Sequence, residues 1–380
     1  MLTPKQRMLN AYRGLPNDRP AVAPEFWYYY PAKLLGVDMF EFRKIPFHRA
    51  LKTTFEHFSC EGWGVTWANA PVPDVATEQT VLTLDDSREE VRCLTRTPFG
   101  NLASSTVFER HDAAIWNKEL PIKDLERDLP AYAHSQLAGN LEALDLAPAV
   151  AAWKEVGESY LLECNLGPTF FDFVAPAREG GFEQAVCDFM DNEALLEPLQ
   201  ERYIDFLVRK ARALCEKTPF ESYFMGCCWS CLSLLSPAFW RKWDKPALQA
   251  AADEIHRHGR LLHHHFHGKC LDVVADLGEI GIDCVCVFER PPGGDVAGLA
   301  GLREVARRLD GRTTMNGNVQ TVDTLIRGTP EDARREVGEI LEAFAGNPRV
   351  IVGTGDQVGR ETPEDNLRAM IGAAQQGNTP

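Results

Sequence analysis

The sequence predicts an α/β chain built as a (β/α)8 TIM barrel with an N-terminal helical and hairpin extension over the barrel mouth, and three observations carry that expectation. Short apolar, β-branched runs alternate with longer helical ones through the last 220 residues, and repeated strand-helix units imply a parallel sheet. Polar and metal-binding residue types stand just after several of these runs, where barrel enzymes keep their chemistry. No Gly-x-Gly-x-x-Gly follows the first strand, which weighs against a dinucleotide-binding open sheet. Residues 1–380 are read as one barrel domain, with a β-hairpin and helical excursion at about 75–150.

Taken in order, Thr3-Pro4-Lys5-Gln6 reads as a capping box with proline at the first helical position, opening a short helix that ends before Gly14. The run from Ala21 to Ala23 turns into the aromatic cluster Phe26-Trp27-Tyr28-Tyr29-Tyr30, a first strand feeding a pocket wall or a packed core. Val81 to Leu84, Val91 to Thr97 and Leu102 to Phe108 are β-rich and separated by turn residues, which gives the hairpin-like excursion. Helical patterns dominate from Pro121 to Trp153, and Leu196, Leu199, Tyr203, Leu207 and Leu214 fall near helical spacing. Strands are expected at Tyr160 to Asn165, Ser222 to Cys227, Arg260 to Phe266, Cys284 to Phe288, Arg312 to Asn316 and Arg349 to Val352.

Composition narrows the function. Of 380 residues, 44% are hydrophobic and 25% charged, ordinary values for a globular protein with a large core. Forty Lys and Arg against 55 Asp and Glu leave a formal charge of -15, which opposes attraction to nucleic acid or to an anionic membrane surface. No apolar stretch is long enough for a membrane span, and Met1-Leu2-Thr3-Pro4-Lys5 lacks the features of a signal peptide, so the expected location is the cytoplasm. Eleven cysteines, an odd number scattered through the chain, read as reduced thiols.

The strongest chemical signal is Leu261-Leu262-His263-His264-His265-Phe266-His267-Gly268. Alternate strand side chains share a face, so His263, His265 and His267 point one way and His264 the other. His265 and His267, near the strand end, suit a divalent ion, while His263 lies one step deeper as lumen filling or support. Glu289, Asn316, Asn318 and Asp356 follow the next strands. The pair Cys228 and Cys231 lacks a second pair for a structural zinc site, and Cys228 is expected to line the mouth. Asp295 binds something or caps a helix, capping being the ordinary use.

These pieces together resemble the uroporphyrinogen decarboxylase superfamily, (β/α)8 barrels that include the porphyrinogen decarboxylase and zinc-dependent methyltransferases acting with corrinoid proteins. The resemblance runs nearly end to end. It rests on Thr3-Pro4-Lys5-Gln6-Arg7 with Asp18-Arg19-Pro20, Leu235-Ser236-Pro237, His267-Gly268, Asn316-Gly317-Asn318-Val319 and Gly353-Thr354-Gly355-Asp356 with Thr362-Pro363-Glu364-Asp365-Asn366. The decarboxylase carries arginine near its first strand for its substrate's carboxylates, where this chain reads Pro24-Glu25-Phe26-Trp27-Tyr28. The methyltransferase branch is therefore the better likeness, with an uncharged, aromatic or cationic small molecule as substrate.

That branch holds zinc with a His-x-Cys pair and a later Cys. Here His265 matches the histidine, His267 and Asp356 stand at the two cysteine positions, and Glu289 stands where a further glutamate ligand is expected. The resemblance implies a metal site of His265, His267, Glu289 and Asp356, with Glu289 and Asp356 also handling protons. It implies substrate contacts from Glu25, Trp27, Tyr28, Asn318 and Cys228. A divalent transition metal is implied, zinc first, with iron, manganese, cobalt or nickel also suited to so hard a donor set. The implied activity is a metal-dependent methyltransferase or demethylase using a corrinoid on a separate protein, since no Asp-x-His-x-x-Gly occurs in the chain. A metal-dependent lyase, decarboxylase or hydrolase without a corrinoid is the alternative. The resemblance is compatible with a homodimer.

Overall fold

The structure is a computed structural model and describes residues 2–377. Twelve strands form two sheets: β1 (Ala21–Ala23), β2 (Trp63–Thr66), β3 (Ala76–Asp85), β4 (Arg88–Thr97), β5 (Gly100–Glu109), β6 (Ile115–Glu119), β7 (Leu161–Pro168), β8 (Ser222–Cys227), β9 (Leu261–Phe266), β10 (Cys284–Val287), β11 (Thr314–Val319) and β12 (Val350–Thr354). Eight run parallel in the order β1-β12-β11-β10-β9-β8-β7-β2, a curled sheet of TIM-like character. Its two ends meet through side chains. Glu61, just ahead of β2, accepts the Val22 amide of β1 at 3.0 Å and ion-pairs with Arg7 and Arg19.

Helices on the outer face follow the strands as the alternation predicts, among them Glu193–Lys217, Lys245–Arg257, Gly298–Leu309, Pro330–Ala343 and Glu364–Gln376. The first helix, Pro4–Arg13, has the expected capping box on Thr3 and ends at Gly14 with φ of 68°, a left-handed turn that glycine adopts without strain. It seals the lower end of the curl: Thr314 donates to the Ala11 carbonyl at 2.7 Å, and the Tyr12 ring meets His263 edge-on.

Two differences from the sequence expectation have physical causes. The excursion is a four-stranded antiparallel sheet in the order β3-β4-β5-β6, larger than a hairpin. Strand β2 is absent from the sequence reading because Gly62-Trp63-Gly64-Val65 has no apolar β-branched run. Gly64 is needed there, since a Cβ would come within 2.5 Å of Leu51 on the helix packed behind it.

The parallel register builds the lumen in layers. His263 of β9 pairs with Cys284 of β10 and Phe224 of β8, and the next layer up pairs His265 with Cys286 and Gly226, Cys286 in turn with Asn316. A compact apolar cluster including Ala21, Trp63, Phe224, Cys284, Cys286 and Ile351 fills this space, separate from the larger core between sheet and helices. Among the described residues, no helix is long and apolar enough to cross a membrane.

Candidate functional site

Strand β9 divides its histidines by face, as strand geometry requires. His264 turns outward, its Nδ1 bonded to the Met225 carbonyl at 2.9 Å, and burial pulls its pKa down to about 4. His263 and His265 enter the lumen, and His267 stands just beyond the strand end at the mouth.

Around His265 and His267 the geometry is specific. The two Nε2 atoms face each other at 2.7 Å. Nδ1 of His265 lies 3.1 Å from Cys286 Sγ and 3.6 Å from Glu25 Oε2, and Nδ1 of His267 lies 3.0 Å from Glu289 Oε1. The Gly268 amide donates to the same Glu289 oxygen at 2.8 Å. Gly293 and Gly294 let the following loop close onto Glu289: a Cβ on Gly294 would stand 2.1 Å from the Glu289 carbonyl oxygen.

Glu25 is a carboxyl group buried at the mouth. It is 4% exposed; its Oε1 accepts Trp27 Nε1–H at 2.5 Å, while the buried Oε2 has no hydrogen-bond partner. Burial, reinforced by the Asp356 charge, pushes its pKa up to about 8. Burial depresses His265, helped by His267. Burial also pulls on His267, but the hydrogen bond to Glu289 and the charges of Asp356 and Glu25 outweigh it and carry it up to about 9. Desolvation raises Asp356, opposed by the His267 charge.

This donor set fits a divalent cation. With both Nδ1–H groups directed at acceptors, Cys286 sulfur and a Glu289 oxygen, the two Nε2 atoms converge on one point, which the His267 proton fills near neutral pH and a cation can fill once that proton leaves. A carboxylate behind a histidine is the ordinary support of a metal-binding imidazole. Glu25, His265 and Cys286 also each bring one ligand atom within 4.8 Å of the others, the one such buried cluster among the described residues.

The structure thus gathers His265, His267, Glu289 and Glu25 at one mouth. Asp356, after β12, bonds its own neighbour Gln357 and reaches the cluster through its charge rather than a hydrogen bond. Asn318 is fully buried, its Nδ2 donating to the Phe288 carbonyl at 2.9 Å and its Oδ1 unpartnered. Cys228 is an exposed residue on a loop whose Cys228, Trp229 and Ser230 amides all donate to Asp172. Asp295 caps, though it does so for the segment after β9, accepting the Cys270 amide at 3.0 Å. Cys286 is the residue the sequence reading misses; its only signal was the spacing that makes β10 a neighbour of the histidine strand.

Beyond β1 and β2 the aromatic cluster continues outward. Trp27 stacks on Phe47 at 5.7 Å and meets Trp63 edge-on. Next to it a cavity of about 460 Å³ is lined by Tyr28, Met39, Phe42, Phe47, Trp67 and Phe108, with Glu109, Asp112 and Arg43 supplying charge.

Comparison with known proteins decides the family. The uroporphyrinogen decarboxylase (URO-D) family matches residues 171–377. The chain belongs to the uroporphyrinogen decarboxylase family. Two curated members, uroporphyrinogen decarboxylases from two strains of Thermus thermophilus, are each 28% identical over 187 residues, covering 47% of this chain and 48% of theirs. The chain thus matches about half the length of these curated relatives. A solved structure described as a methyltransferase from Methanosarcina mazei superposes over 98% of both chains with a TM-score of 0.64 at 18% identity, which shows a shared fold. The family match covers β8 to β12 and therefore every histidine of the site.

Proposed function

We propose that this family member is a metal-dependent methyltransferase or demethylase acting on a small uncharged, aromatic or cationic substrate, with the methyl group carried by a corrinoid on a separate protein. The observation that carries the metal reading is the pair of imidazole Nε2 atoms facing each other at 2.7 Å with both Nδ1 atoms engaged. His265 and His267 would hold the ion through Nε2, with Asp356 as a carboxylate donor and Glu289 bracing His267; Glu25 Oε2 and Cys286 Sγ lie on the Nδ1 side of His265, away from that ion. When bound, a cation such as zinc would supply Lewis acidity that favours the anionic form of a substrate oxygen.

The chain's own residues do the rest. Trp27 fixes Glu25 Oε1, which leaves Oε2 as the atom that holds a proton near neutral pH and passes it to or takes it from the substrate. Tyr28, Phe47 and Trp67, with the sheet β3–β6 across from them, provide an aromatic wall that accepts a planar group and keeps water from the mouth. Asn318 Oδ1 and the Cys228 thiol are further proposed substrate contacts. The methyltransferase description of the Methanosarcina mazei structure supports this reading.

A second reading keeps the same metal and needs no corrinoid: a lyase, decarboxylase or hydrolase in which Glu25 delivers the proton. The decarboxylase relatives and a carboxyl group protonated near neutral pH favour it. Anaerobic incubation of the metal-loaded protein with methylcobalamin separates the two. Methyl transfer predicts loss of the methylcobalamin absorption with an added acceptor; turnover that proceeds equally without any corrinoid points to the second reading.

A further inference from the structure

Below the mouth, three buried side chains that serve no role in the mechanism above, Ser222, Glu163 and His263, lead up the lumen to Cys286 and His265. Ser222 Oγ–H donates to Glu163 Oε1 at 2.5 Å, and Glu163 Oε2 lies 2.8 Å from His263 Nδ1. His263 Nε2 lies 3.1 Å from Cys286 Sγ, and the same sulfur lies 3.1 Å from His265 Nδ1. Glu163, Ser222 and His263 are each 0% exposed. The rings of Trp63, Phe224 and Tyr12 meet His263 edge-on at 4.7, 5.3 and 5.5 Å, which holds its plane and excludes water.

We infer that Glu163 is a positioning residue that sets the direction of this hydrogen-bond chain and thereby aims the Nε2 lone pair of His265 at the mouth. The inference rests on the metal reading above for its purpose, and on geometry alone for its content. A carboxylate only accepts, whereas imidazole and thiol each donate once and accept once. Glu163 already accepts the Ser222 hydroxyl on one oxygen and, as a carboxylate, can only accept on the other. Nδ1 of His263 therefore donates to Glu163, and its Nε2 is left to accept. The Cys286 S–H donates into that Nε2, and the sulfur then accepts from His265 Nδ1–H. His265 is left with a bare Nε2, directed at His267.

Run in reverse, the same chain closes the site. A donor at position 163 bonded to His263 Nδ1 would place the proton on His263 Nε2, turn the Cys286 S–H toward His265 Nδ1 and leave a proton on His265 Nε2. A glutamine can supply that donor with little change of volume: Ser222 Oγ–H holds its carbonyl oxygen where Oε1 now lies, which leaves its amide facing His263 Nδ1. A side chain three hydrogen bonds from His265 would thus decide whether His265 can ligate.

The test uses full-length protein labelled with 15N-histidine, without metal and then with zinc or cobalt(II). Ring-nitrogen shifts of metal-free wild type should give the Nδ1–H tautomer for both His263 and His265. Glu163→Gln should move both to Nε2–H and weaken metal binding by about 10- to 100-fold, the usual cost of losing support behind a ligand. Ser222→Ala, which keeps the carboxylate, should leave both tautomers as in wild type. An Nε2–H tautomer at His265 in wild type overturns the inference without needing any variant. So does Glu163→Gln with wild-type tautomers and affinity. If wild type takes up no metal yet His265 switches tautomer in Glu163→Gln, the metal reading fails while the positioning role stands. If wild type binds metal and the tautomers stay unchanged in Glu163→Gln, the positioning role fails while the metal reading stands.

Discussion

Replacing Glu289 by glutamine separates two effects that this carboxylate exerts on His267. Glu289 Oε1 receives His267 Nδ1–H at 3.0 Å and the Gly268 amide at 2.8 Å, and glutamine keeps an acceptor there while removing the charge. Loss of a supporting carboxylate costs about 10- to 100-fold in intrinsic metal affinity. The same substitution also turns the charge-assisted hydrogen bond that most raises His267, whose pKa stands at about 9, into a neutral one and so lowers that pKa. A group with that pKa is free of its proton in about one molecule per hundred at pH 7, so proton competition lowers the apparent wild-type affinity by about 100-fold there and hardly at all above pH 9.5. The ratio of wild-type to variant affinity should therefore climb about tenfold per pH unit between pH 7 and 9, from about 0.1–1 to a plateau of about 10 to 100. Titration of zinc or cobalt(II) against a competing chelator, from pH 6.5 to 9.5, measures it directly. A ratio independent of pH, or no loss at pH 9.5, would refute the assignment of Glu289 as the brace of His267.

Gly294→Ala places a Cβ 2.1 Å from the Glu289 carbonyl oxygen and 2.6 Å from its Cβ, so the loop must withdraw; metal affinity should fall while the circular dichroism spectrum is retained. Glu61→Ala removes the buried carboxylate shared by Arg19, Arg7 and the Val22 amide where β1 meets β2, while Arg7 keeps Asp18, and urea unfolding should register a loss of about 3 kcal/mol. His264 sits neutral in the fold with its pKa at about 4, whereas the unfolded chain protonates it near 6.5, so the unfolded state binds more protons between those values. Stability should accordingly fall by about 3 kcal/mol as pH drops from 6.5 to 4, and unfolding curves of His264→Asn should lack that component.

The histidine strand was legible because face alternation is a property of any strand: outward His264 and inward His263 and His265 follow from their spacing alone. The capping box on Thr3 and the strands β7 to β12 were legible for similar local reasons, since proline, glycine and β-branched runs act within a few residues. Strand β2 was not, because its Gly62 and Gly64 serve the close approach of a helix and erase the strand pattern. Cys286 looked like any small core residue; only the pairing of β9 with β10 sets it opposite His265, and register between distant segments is a tertiary property. Glu25 read as a substrate contact, yet its partnerless Oε2 turns toward His265 at 3.6 Å, with Trp27 holding the other oxygen. Glu163 carried no signal at all, lying alone within the apolar run of β7.

Metal content of purified wild type set beside His265→Ala, His267→Ala and His264→Ala is the most direct measurement of the site. Because two Nε2 atoms converge while His264 faces the helices, wild type and His264→Ala should each retain about one equivalent of transition metal, and the other two variants should lose it. Retention in all four proteins, or loss caused equally by His264→Ala, would contradict a centre built on His265 and His267.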